Sequence, residues 1–253
     1  MKAAPALLLG SAVLGAALLS PARAQKHEQH ALKPPLHTAS EPYHLESFGS
    51  FSLMMLQGDF SPAVLLSEAL AQQPSTGVGA LAAARGEITI YDGKVYLSYG
   101  KPGEHPAPEK ESAALLAIAT AADWQSVAVD RDVAPDAVEA FIADAAKSHG
   151  IAPEKSFPFE LRGSVMPYVM HVDAATIGGA HGMDMPMAVT VETKGEEIPG
   201  KIAGLYVAAN LEGIITRNNE RIVAHWLSPD GQWTTHLDHW GIKRGAILLL
   251  PKL

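Results

Sequence analysis

The stretch Arg221-Ile222-Val223-Ala224-His225-Trp226-Leu227-Ser228-Pro229-Asp230-Gly231-Gln232-Trp233-Thr234-Thr235-His236-Leu237-Asp238 places two strand-forming arms around a four-residue turn. Proline presets φ at the start of that turn and glycine accepts positive φ at its end. If Ser228 pairs with Trp233, His225 falls directly opposite His236. Directly paired residues share a face, with Cβ atoms about 4.5–5.5 Å apart. Two imidazoles at that spacing can converge on one ion at about 2.0–2.1 Å. The same ladder sets Asp238 across from Val223 and turns His239 to the opposite face unless a bulge intervenes. A one-residue slip would part the two histidines. A stacked structural pair and a metal site both satisfy this pattern.

Working outward, the chain reads as strands with two helices. Glu87 to Tyr91, Asp92-Gly93, and Lys94 to Tyr99 form a hairpin signature, because Asp-Gly suits a type I′ turn and both arms alternate in polarity. One helix is expected after Ser61-Pro62, carried by Leu65, Leu66, Ala69 and Leu70 and stopped before Pro74. A second runs from Pro135 to about Ser148, where Val138, Phe141, Ile142 and Ala145 share a face and Gly150 suits the C-terminal cap. Strands are expected at Phe157–Arg162, Val165–His171, Met187–Glu192, Lys201–Val207, Ile214–Arg217, Arg221–Leu227, Trp233–Leu237 and Ala246–Leu250. The fold class is α+β: mixed, strand-rich sheets with two main helices.

Residues 1–24 read as a signal peptide: Lys2, the apolar run Ala6 to Leu19, then Ala22-Arg23-Ala24 as a small-x-small cleavage pattern. Fourteen apolar residues fall short of the roughly 20 needed to span a bilayer, so stable membrane insertion is not expected. Export to the periplasm or the medium is. Without Lys2 and Arg23, 17 basic residues face 27 acidic ones, a net charge of −10. That balance argues against nucleic acid as a partner. Cysteine is absent, which excludes disulfides, thiolate metal sites and cysteine nucleophiles. Residues 25–44, with His27, His30, His37, His44 and Pro34-Pro35, read as a histidine-rich flexible tether. An N-terminal α+β part (45–162) and a C-terminal β-rich part (163–253) follow. The run His181-Gly182-Met183-Asp184-Met185-Pro186-Met187 offers an imidazole and thioethers that would suit copper(I), although methionine is also a common core filler.

Taken in order, several pieces resemble the α-acetolactate decarboxylase family from about Leu45 to Leu250. They are Leu53-Met54-Met55-Leu56-Gln57-Gly58-Asp59-Phe60, Gly77-Val78-Gly79-Ala80, Gly86-Glu87-Ile88 with Asp92-Gly93-Lys94, the Pro135 helix, Phe159 to Gly163 and Gly200-Lys201-Ile202-Ala203-Gly204. The closest piece is His225-Trp226-Leu227-Ser228 with His236 eleven positions on. The resemblance implies a zinc-dependent lyase that removes CO2 from 2-hydroxy-2-methyl-3-oxobutanoate to give acetoin, with a metal as Lewis acid for the enediolate and a positioned acid to protonate it.

Carried over residue by residue, the resemblance gives His225 and His236 as metal ligands and Glu87 as the active-site glutamate. The family's first ligand position holds Val223, which cannot bind a metal. Its arginine position holds His171, which can donate a proton but lacks a two-pronged guanidinium. Its C-terminal glutamate has no counterpart at Pro251-Lys252-Leu253. Asp238 is then the carboxylate best placed to complete a two-His-one-carboxylate set, and His171 a further candidate. Zinc is the implied metal and copper the alternative; the implied partner is a small oxo acid, with a homodimer left open. A non-catalytic periplasmic protein that kept the fold to bind a metal or small ligand is the competing reading.

Overall fold

Strand β9, Phe157–Ile177, is 21 residues long and organises the C-terminal half of the protein in this computed structural model. The structure describes residues 37–39, 43–100, 107–177 and 186–253. The first half of β9 pairs with β11 (Ile198–Tyr206) and β14 (Ile247–Pro251), and the second half with β10 (Pro186–Gly195) and β13 (Thr234–Ile242). Strand β12 (Ile222–Leu227) joins β11 to β13, so β11, β12, β13 and β9 close into a ring. The ring closes because β9 changes partners near Gly163, where φ is +153° and a side chain would strike Ala246. Strand β8 (Trp124–Ala128) extends this sheet beyond β14.

The other sheet is antiparallel and runs β1 (His37–Ala39), β2 (His44–Phe48), β7 (Ser112–Thr120), β4 (Thr76–Leu81), β5 (Gly86–Tyr91), β6 (Lys94–Tyr99). Short strand β3 (Val64–Leu65) also pairs with β7. The β5–β6 turn is the expected one: Asp92 and Gly93 have φ of +50° and +70°, and the register runs from Tyr91–Lys94 to Gly86–Tyr99. Every residue of β4 and β5 is buried. Leu45, Val78, Ala117, Ala203, Leu205 and Leu227 pack the two sheets together.

The described residues include three α-helices: α1 (Phe51–Gln57), α2 (Leu66–Leu70) and α3 (Val138–Ser148). Helix α3 follows a short 3₁₀ turn at Pro135–Ala137 and buries Val138 and Ile142 of the expected face together with Ala146, while Phe141 and Ala145 are half-buried. The helix expected from Ser61 starts only at Leu66, because Val64 and Leu65 are drawn into pairing with Ala113 and Ser112. Ile214–Arg217 is a turn rather than a strand; Glu212 and Thr216 form one isolated bridge across it. Among the described residues no helix is long and apolar enough to cross a membrane. Residues 1–31 and most of the tether lie outside the described residues, as do His181 to Met185. Within the tether segment, His37–Ala39 pairs with Leu45–Ser47.

Candidate functional site

The register of the decisive hairpin is the expected one: His225 on β12 stands opposite His236 on β13. On its other side, His236 pairs with His171 on β9, and His171 pairs with Glu192 on β10. Direct partners share a face, so three imidazoles and a carboxylate form one row across four strands. Ring centroids lie 5.3 Å apart for His225 and His236 and 4.9 Å apart for His236 and His171. The row lines a cavity of about 350 Å³, at the small end of the range for ligand sites. Phe51, Met54, Val78 and Leu115 form its apolar wall.

Glu87 reaches the row from β5 and is 3% exposed. Its Oε1 accepts a hydrogen bond from the Asp173 backbone N–H at 3.0 Å, and its Oε2 lies 3.8 Å from His225 Nε2. Asp173 follows His171 by two residues on the same face of β9, with Oδ1 3.8 Å from His171 Nε2. Ligand atoms of Glu87, His171 and Asp173 all lie within 4.8 Å of one another.

Hydrogen bonds fix how the rings are presented. The Trp226 carbonyl can only accept, so the Thr234 hydroxyl donates to it at 3.1 Å. Thr89 must then donate to Thr234, which leaves the Thr89 oxygen to accept from His225 Nδ1–H at 3.0 Å. That chain assigns the proton of neutral His225 to Nδ1 and turns the Nε2 lone pair toward Glu87. His171 Nδ1–H is likewise held, by Asp238 Oδ2 at 2.6 Å, and Arg217 Nη2 holds the other Asp238 oxygen at 3.3 Å. Asp238 sits at a bulge on β13 between Leu237 and His239. The β12–β13 ladder stops at His225–His236, so Asp238 and Val223 are not ladder partners. Val223 is buried and lines the cavity with its methyl groups.

The electrostatics follow from burial and from one another. Burial, reinforced by the Asp173 carboxylate, pushes Glu87 up to about 8. Burial raises Asp173 as well. Burial and the neighbouring His171 bring His225 down to about 3, with the Ile88 carbonyl opposing. His236 falls well below the usual imidazole value through burial and through His225 and His171. For His171 burial acts downward, but the Asp238 hydrogen bond and the Glu87 carboxylate outweigh it and raise the ring. For Asp238 burial acts upward, and the hydrogen bond and charge of His171 outweigh it and lower the carboxyl. Burial thus favours the uncharged forms of Glu87, His225 and His236.

No protein-family model matches the sequence, and no curated protein matches it. Solved structures match it by fold. An acetolactate decarboxylase from Bacillus subtilis strain 168 aligns with a TM-score of 0.63 at 14% identity, covering 82% of this chain and 85% of its own. The fold is that of acetolactate decarboxylase. A protein from Staphylococcus aureus described as similar to α-acetolactate decarboxylase gives 0.62 at 14% identity, with 83% and 85% covered. The enzyme from Bacillus subtilis subspecies spizizenii gives 0.60 at 15%, with 82% and 85% covered.

Within this decarboxylase fold, the five residues singled out from the sequence, Glu87, His171, His225, His236 and Asp238, all line the cavity. Asp173 and Arg217 join them without having been singled out, and Thr89, also not singled out, supports His225 from behind. Asp173 has a readable signal, since His171-x-Asp173 on one strand puts both side chains on one face. Thr89 has the same relation to Glu87. Arg217 has none, because it arrives on an irregular turn.

Proposed function

We propose that the protein is a metal-dependent carbon–carbon lyase for a small 2-hydroxy-3-oxo acid. Decarboxylation of 2-hydroxy-2-methyl-3-oxobutanoate to acetoin is the reaction to test first. The observation that carries this reading is the row of three imidazoles beside Glu87 in a small cavity of a decarboxylase-type fold. His171 on β9 offers an imidazole two strands away from β12, where the resemblance predicts a ligand and Val223 stands instead.

The residues present fit a divalent metal such as zinc. His225 has its Nδ1–H anchored and its Nε2 lone pair free of a proton, the arrangement a metal-binding histidine needs. His171 is anchored in the same way by Asp238. His171, His225 and His236 would hold the metal, with Asp173 and Glu87 each 3.8 Å from one of the rings as adjacent carboxyl groups. When bound, it supplies the Lewis acidity that stabilises the enediolate left by departing CO2. His171 keeps its Nδ1 proton on Asp238, and metal binding would release the proton that its cationic form carries on Nε2.

Glu87 is the proton-carrying group. Its Oε1 is committed to the Asp173 N–H, so Oε2 faces His225 and holds the proton that burial retains near neutral pH. From there it can protonate the carbanion carbon after CO2 leaves. Phe51, Met54, Val78 and Leu115 keep water from that carbon.

The test is CO2 release from 2-hydroxy-2-methyl-3-oxobutanoate by the full chain before and after zinc loading. Zinc-dependent release supports the reading; protein that binds no metal and releases no CO2 removes it. Val223 at a ligand position favours a second reading, a metal- or small-ligand-binding protein without turnover. Stoichiometric zinc with no CO2 release would select it.

A further inference from the structure

Among the described residues lining the cavity, Arg217 carries the single Lys or Arg side chain. Its guanidinium is tethered at one edge, where Nη2 donates to Asp238 at 3.3 Å. Its other near acid is Glu220, whose Oε1 stands 3.7 Å from Nη1, beyond hydrogen-bond range. The side chain is 43% exposed, so part of the fork stays open to an incoming ligand. Through Asp238 it sits one residue removed from His171, whose Nε2 faces Glu87 and Asp173.

We infer that Arg217 anchors the carboxylate of the substrate and that the site selects small acids bearing a single carboxylate. This rests on the lyase reading above and adds to it the group that recognises the acid. A guanidinium offers parallel donors matched to a carboxylate, which no imidazole does. Histidine at position 171 leaves the strand row without such a fork, and the turn that carries Arg217 brings one in from another direction. Asp238 holds the guanidinium in place before a ligand arrives, which lowers the ordering cost of binding. Glu192 and Glu220 also line the cavity. A second carboxylate on the ligand would meet these acids with no second guanidinium or ammonium among the lining residues to pair it.

The experiment is calorimetric titration of the zinc-loaded full chain with 2-hydroxy-2-methylpropanoate, its neutral amide, and 2-hydroxy-2-methylbutanedioate. Wild type is expected to bind the monoacid more tightly than the amide or the diacid. Arg217→Ala should weaken the monoacid by roughly ten- to a hundredfold, the range of a charged hydrogen-bond pair. Zinc stoichiometry and amide affinity should stay the same. Arg217→Lys, which keeps charge and loses the fork, should fall between. If Arg217→Ala holds its zinc and binds the monoacid as wild type does, the anchor is wrong and the lyase reading stands. If Arg217→Ala loses zinc, the residue acts through Asp238 on the metal site, and the anchor is again wrong. Zinc-loaded wild type that binds the monoacid no better than the amide, or the diacid more tightly, overturns the inference too. Wild type that binds no zinc removes the lyase reading, and the anchor falls with it.

Discussion

Replacing Thr89 by valine would test the site's internal wiring at one atom. Valine keeps the branched shape and suits a buried strand, so β5 and its packing should survive. What disappears is the oxygen that accepts from His225 Nδ1–H. Both residues are buried, Thr89 fully and His225 to within 2%, so no water replaces the lost partner. An orphaned buried donor costs about 1–3 kcal/mol. Two kcal/mol in a chain of this size lowers Tm by about 4–8 °C. Freed from Thr89, neutral His225 can move its proton to Nε2, where Glu87 Oε2 at 3.8 Å is the nearest acid. That tautomer carries its lone pair on Nδ1, on the side of residue 89, and leaves Nε2 with none to offer a metal. Loss of such a supporting group weakens metal binding by roughly 10- to 100-fold. Thermal unfolding in excess chelator reads the first effect, and zinc competition against a chromophoric chelator reads the second. A variant that melts with wild type and binds zinc equally well would refute the assigned hydrogen-bond chain.

Three further outcomes follow from the charges. Asp238→Asn replaces the carboxylate that holds His171 Nδ1 at 2.6 Å, so zinc affinity measured by competition should drop by about 10- to 100-fold with the fold intact; unchanged affinity would remove His171 from the ligand set. Glu160, buried and accepting from the Asp92 N–H at 3.1 Å, is raised by burial to about 7. Its neutral form is the one the fold favours, so its contribution is whole below about pH 4.5 and is lost as pH rises through 7. Glu160→Gln should therefore match wild type near pH 4 in denaturant melts and exceed it at pH 8 by about 3 kcal/mol, from 1.36 kcal/mol per pKa unit; equal stability at pH 8 would contradict this. Zinc binding should strengthen from pH 6 to pH 8, because His171, raised by its hydrogen bond to Asp238 and by the Glu87 carboxylate, must give up its Nε2 proton to bind; binding that is flat over that range would contradict the proposed set.

Local signals made part of this site legible. Ser228-Pro229-Asp230-Gly231 sets the hairpin register on its own, and with it the His225–His236 pairing. Asp92-Gly93 does the same for the strand that carries Glu87. The third imidazole was harder to place, because pairing between β13 and β9 joins residues 65 positions apart and no turn links them. Reading the strand as ending at His171 hides Asp173, although β9 runs on to Ile177. The bulge at Asp238 moves its carboxylate from an expected ligand position to the back of His171. Strand β4 is rich in glycine, which weakens strand propensity, and pairing on both sides with β5 and β7 supplies what its sequence lacks. The α+β class survives such errors because it depends on the count and alternation of elements.

The most direct measurement is anomalous diffraction at the zinc edge from crystals of the full chain soaked in zinc. One peak is expected in the cavity, bonded at about 2.0–2.2 Å by Nε2 of His171 and of His225 and by a ring nitrogen of His236. At saturating zinc, a cavity without a peak, or a zinc ion held without His171, would contradict the account.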